Sequence, residues 1–114
     1  MTDEVRNELA AAASTVPGVS CHPYYVSTTS SGHAFVRLDR IEYPNRFGGI
    51  RHWNVVVLMP QDPSKAEAWL EELLPGLKAA LDPHLVIREV VPQRIDLPGA
   101  GVLPCVFVNG HREE

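Results

Sequence analysis

The sequence predicts one α+β domain over residues 1–114: an antiparallel or mixed β-sheet with two main helices packed on it, in the order α-β-β-α-β-β. Three observations lead there. Apolar residues recur at helical spacing near the N-terminus and again over 64–81; they alternate, or run continuously, at strand spacing over 33–59; and strands do not alternate with helices often enough for a doubly wound parallel sheet. With 114 residues, 45% hydrophobic and 21% charged, the chain can bury a core without disulfide or metal support. No repeat or linker divides it.

The first helix is expected over 3–16, where Val5, Leu9, Ala12, Ala13 and Val16 form one stripe. Asp3 and Glu4 suit the positive end of its dipole, and Pro17-Gly18 stops it. Ser20–Gly32 reads as a short extended piece followed by an exposed loop through the Ser27–Ser31 run. From His33 to Tyr43 the period becomes two, with Phe35, Arg37, Asp39, Ile41 and Tyr43 on one face and Ala34, Val36 and Leu38 on the other. The turn cluster Pro44–Gly49 joins this strand to Ile50–Met59, whose unbroken apolar run marks a central strand of a hairpin.

The second helix opens either with Asp62 as N-cap and Pro63 in the first turn or with a Ser64-x-x-Glu67 capping box. Ala66, Trp69, Leu70, Leu73, Leu74, Leu77, Ala80 and Leu81 form a broad stripe for packing across a sheet. Pro75 is expected to kink it, and Asp82-Pro83 ends it. His84–Val91 and Val102–Asn109 are the closing strands, separated by a proline- and glycine-rich loop at Leu97-Pro98-Gly99.

Composition excludes several functions. A net charge of −4 and a pI near 5.7, with no basic run, oppose nucleic-acid wrapping, which needs clustered Lys and Arg. No apolar stretch is long enough to span a bilayer, and Met1–Ala10 lacks the pattern of a signal peptide, so synthesis in the cytoplasm is expected. Cys21 and Cys105 have no ligand spacing and read as reduced thiols in a reducing compartment. The five histidines, at 22, 33, 52, 84 and 111, share no helix face or HxH pair. Cys21 and His22, as neighbours in an extended segment, point to opposite faces and make a poor nucleophile–base pair. Glu71 and Glu72 fit a solvated helix face, and Gly48-Gly49 lacks phosphate-loop spacing.

No catalytic residue, metal or cofactor is therefore expected. The candidate interface is Arg46, Phe47, Gly48, Gly49, Ile50 and Arg51, because arginine and apolar side chains at a hairpin tip are the composition of contact surfaces. The alternative is a tip folded back on its own sheet. Trp53 and Trp69, on a core strand and an amphipathic helix, are expected to be buried.

The order of elements and several phrases resemble the tail terminator proteins of long-tailed bacteriophages. The resemblance runs through the helix at Asp3–Val16, the strand phrase Ala34-Phe35-Val36-Arg37-Leu38 and the strand Trp53-Asn54-Val55-Val56-Val57-Leu58-Met59-Pro60. It continues in the helix start Ser64-Lys65-Ala66-Glu67-Ala68-Trp69-Leu70 and covers nearly the whole chain. The short linking hairpin and the Pro98-Gly99-Ala100-Gly101 loop depart from it.

The resemblance implies a structural virion protein. Its homo-hexameric ring would sit at the head-proximal end of the tail tube, stopping tube polymerisation and offering a surface for head–tail joining. The implied partners are other copies of the chain, the tail tube protein and a head–tail connector or stopper. DNA would pass through the lumen without specific binding, and six copies at −4 each would carry roughly −24, a charge that does not grip DNA. Other head–tail connector or tail-completion proteins, and a small-molecule-binding α+β domain, are the competing readings.

Overall fold

The computed structural model describes residues 2–25, 30–99 and 101–113, with the side chains of residues 2, 3 and 113 left aside. The dipole role given to Asp3, part of the Ser/Thr loop (27–29) and Ala100 therefore lie outside the described residues. In chain order the elements are α1 (Thr2–Ser14), β1 (Ser20–His22), β2 (His33–Asn45), β3 (Gly48–Leu58), α2 (Pro63–Leu81), β4 (Val86–Leu97) and β5 (Gly101–Glu113). The fold is α+β, and the expected order is corrected by one strand to α-β-β-β-α-β-β. The extra strand is the extended piece before the Ser/Thr run, which pairs in parallel with the start of β2, Cys21 opposite Ala34.

The sheet is mixed, with spatial order β1-β2-β3-β5-β4. Its remaining pairings are antiparallel, and β3 lies at the centre, as its apolar run requires. One face carries both helices. Leu9, Ala13 and Val16 of the α1 segment and Leu73, Leu77 and Leu81 of α2 pack with Val36, Trp53, Val55, Val57, Val106 and Val108. The opposite face gathers a smaller cluster from strands alone: Phe35, Val56, Leu58, Leu97, Leu103, Cys105 and Phe107.

Asp62 settles the start of α2. Its carboxylate accepts the backbone N–H groups of Ser64 and Lys65 at 3.0 and 3.4 Å, so Asp62 is the cap and the Ser64–Glu67 box is not used. Three contacts, led by the Ser64 hydroxyl, hold its carboxyl below the usual range. The helix runs on through Pro75. That residue is exposed, as is Glu71, whose carbonyl loses its helical donor.

Register shifts on β2, between Leu38 and Arg40 and between Glu42 and Asn45, and one on β4 correct the strand phase. Leu38 pairs with Trp53 but Arg40 with His52, so Asp39 is an extra residue. Beyond it Arg40 and Glu42, rather than Ile41 and Tyr43, share the face of Phe35 and Arg37, since one inserted residue inverts the alternation. On β4, Arg88 is likewise extra, which puts both Ile87 and Val90 against the helix-side core.

The closing strands are longer than expected, because the Pro/Gly segment is a tight hairpin in which Leu97 already pairs with Gly101. Pro104 stands one residue past the last β3–β5 pair, Leu58 with Cys105, where its carbonyl still accepts the Met59 N–H at 3.0 Å and no further pair of that ladder calls for its missing N–H.

Gly110 shows why one position must lack a side chain. A Cβ there would lie 2.6 Å from Leu85 Cγ and 2.7 Å from the Val86 carbonyl oxygen. Leu85, just past α2, thereby rests directly on the backbone of β5.

Candidate functional site

Three features stand out: the β2–β3 arm, a polar row on the helix-free face, and a groove beside Tyr24 and Tyr25. The arm's turn is tighter than the six-residue cluster Pro44–Gly49. Asn45 pairs with Gly48, leaving Arg46 and Phe47 as the whole loop, and Asn45 Oδ1 accepts the Phe47 N–H at 2.8 Å.

Phe47 is 90% exposed, so its ring stands out from its own sheet. Arg46 and Gly48 are exposed beside it. Gly49 is buried, and Ile50 and Arg51 are half-buried in the ladder, opposite Glu42 and Ile41. The six candidate residues thus divide into a protruding tip, Arg46–Gly48, and a paired stem. The expectation that Ile50 stands at the exposed tip is corrected, because strand pairing begins at Gly48.

The polar row crosses four strands. Arg37 Nε donates to Asn54 Oδ1 at 3.1 Å, Asn54 Nδ2 to Asn109 Oδ1 at 2.6 Å, and Asn109 Nδ2 to Glu89 Oε1 at 3.1 Å. Arg37 also lies over the Phe107 ring, 5.0 Å from its centroid. Next along the face, His52 is within 3.1 Å of Glu42 and its ring lies 5.8 Å from that of His111. A depression of about 260 Å³ opens here, between the bulges at Asp39 and Arg88. The row satisfies its polar atoms largely within itself, a structural use of amides where the apolar cluster stops.

Sequence reasoning missed this row. Its signal was present in Asn54 and Asn109, each an amide interrupting an apolar strand, but their pairing depends on register.

The groove, about 460 Å³, lies between the residues after β1 and the tip of the β4–β5 hairpin. That hairpin reaches across the helix-free face, where the Tyr25 hydroxyl donates to the Pro98 carbonyl at 2.5 Å. Tyr25 also meets Phe35 edge-on at 5.4 Å.

The other candidates are dispersed. Trp53 is fully buried and Trp69 half-buried. Glu71 and Glu72 are exposed on α2. Burial pushes the Cys21 thiol up to about 12 and the Cys105 thiol up to about 11, far from thiolate chemistry. The His22 ring stacks on that of His33 at 5.8 Å. Among the described residues no three His, Cys, Asp or Glu side chains converge to hold a metal, and no helix is long and apolar enough to cross a membrane.

Compared with known proteins, the chain matches no family model, and no curated protein matches it.

Proposed function

We propose that this protein is a tail terminator subunit of a long-tailed bacteriophage, forming a ring that caps the head-proximal end of the tail tube and receives the head. The observation that carries the assembly part of this reading is the arm. A bare phenylalanine at 90% exposure on a two-residue turn has no role in its own core, and apolar side chains presented this way belong to contact surfaces. The phage assignment rests on the resemblance along the chain.

The mechanism needs only binding. A growing tube adds subunits while its end offers a matching surface; a ring that covers that surface and presents a different one stops growth. No nucleotide, metal or acid–base residue is required for this. The opposite side of the ring then meets the head's connector or stopper protein.

Deleting the gene should give filled heads without joined tails, together with tubes of uncontrolled length. Adding the purified protein to tube extracts should cap them. Tails of normal length that fail to join would instead make the chain a head-side stopper, and fully infectious particles would overturn a role at the neck.

A further inference from the structure

The exposed aromatic side chains fall into two groups. Tyr24 and Tyr25, at 55% and 38% exposure, border the groove; Tyr43 and Phe47, at 68% and 90%, stand on the arm. Phe35, which packs on Tyr25, and Asn45 at the turn are separated by ten residues of β2, about 33 Å at strand rise. That is most of the molecule's 46 Å long axis. One end is convex and apolar, the other concave and apolar.

One pair of opposite charges is also available across the two ends. Arg46 immediately precedes Phe47, and Asp96 immediately precedes Leu97 on the groove wall. Neither has an ion pair among the described residues. The groove's two arginines keep their charge but are held by hydrogen bonds to neutral oxygens within the chain rather than to the Asp96 carboxylate. Arg6 donates to the Pro23 and Val36 carbonyls, and Arg37 to Asn54.

Sheet extension is a poor alternative route to self-assembly. Arg6 and the bulges of β2 interrupt one free edge, and Pro92 and the Arg88 bulge the other.

We propose that Phe47 of one subunit seats in the Tyr24–Leu97 groove of the next copy, with Arg46 against the carboxylate of Asp96. Plug and socket are different surfaces of one chain, so the contact is heterologous and repeats around a ring. This deepens the ring reading above and rests on its assembly part.

Sedimentation equilibrium at about 1 mM, where even a weak contact is half populated, tests it. The wild-type chain should associate. Phe47→Asp and Asp96→Arg should each weaken association by about tenfold or more while keeping the wild-type thermal transition, because both side chains are exposed. Mixed together, the two variants should stop at dimers, since such a pair retains one intact plug and one intact socket. Arg46→Asp combined with Asp96→Arg in one chain should restore association.

A monomeric wild-type chain, or association unchanged in both single variants, would overturn the proposal. Tube capping separates it from the phage role. Association with this mutational pattern but no capping keeps the contact and rejects the tail function; capping that Phe47→Asp leaves intact rejects the contact and keeps the function.

Discussion

Asn54 donates its amide N–H to the side-chain oxygen of Asn109 at 2.6 Å, joining β3 to β5 at the boundary between the apolar and polar halves of the helix-free face. Asn54 is 4% exposed, so cutting this bond leaves its partner short of a donor in a poorly hydrated place. Asn54→Ala should cost about 1–3 kcal/mol in urea unfolding. Replacing both amides with valine should cost much less than the sum of the single replacements, because Arg37 and Glu89 are exposed and turn to water. Strict additivity would show that the row is not one network.

Leu85 and Gly110 make a second coupled pair. Gly110→Ala should destabilise the fold by about 1–3 kcal/mol through overpacking. Adding Leu85→Ala should not restore stability, because the Val86 carbonyl oxygen remains 2.7 Å from the new methyl position. Full recovery in the double variant would place the whole clash on the leucine.

Arg6 completes the sheet where β1 stops. Its guanidinium donates to the Val36 carbonyl at 2.9 Å and to Pro23 at 3.0 Å, and lies 4.4 Å from the Tyr24 ring centroid. Arg6→Ala should cost about 2 kcal/mol. Arg6→Lys should recover only part of that, since one nitrogen, Nη1, makes both bonds but an ammonium lacks the flat guanidinium that lies over the Tyr24 ring. Hydrogen exchange should also quicken near residues 20–25 in both variants.

Glu8 ties α1 to β5 and to the segment after α2, with Arg112 at 2.6 Å and His84 at 3.5 Å. The Arg112 hydrogen bond holds its carboxyl below the usual range, against the opposing effect of desolvation. A depressed carboxyl stabilises the fold above its unfolded value, about 4.3, and that contribution fades as pH falls through the folded value. Glu8→Gln should therefore lower stability modestly at neutral pH and converge with the wild type as the solution is acidified below about pH 4. A difference that persists unchanged into strong acid would mean the ion pair contributes nothing.

The helices were legible because their signals are local. Leu9, Ala13 and Val16 recur along one stripe, as do Leu73, Leu77 and Leu81, and all six are buried where that spacing places them. The central strand was equally legible from its Val-Val-Val-Leu run. The edge strand β4 was legible only in its first half, expected over 84–91 and found over Val86–Leu97. β4 carries Arg88, Pro92, Gln93, Arg94 and Asp96, mostly exposed, so it lacks the alternation that a half-buried strand shows. Nor could residue order reveal the bulge at Asp39, which follows from the fit of β2 to β3 and reverses the facing of Ile41 and Tyr43. The polar row and the groove depend on segments brought together from far along the chain, Asn54 with Asn109 and Tyr25 with Pro98. Only the tip of the arm, a phenylalanine between arginine and glycine, announced itself locally.

The borders of the sheet carry a last implication. Ser14 exchanges hydrogen bonds with both backbone groups of Cys21 on the outer side of β1; Arg6 occupies β2 where β1 ends; and β4 has a proline and an extra residue within one strand. A second chain laid alongside would meet a ladder broken every few residues. The molecule therefore lacks the uninterrupted row of amides on which cross-β stacking propagates. Its concentrated solutions should stay free of fibrils, and any order they develop should come from side chains, which can dissociate and try again when a contact forms in the wrong place.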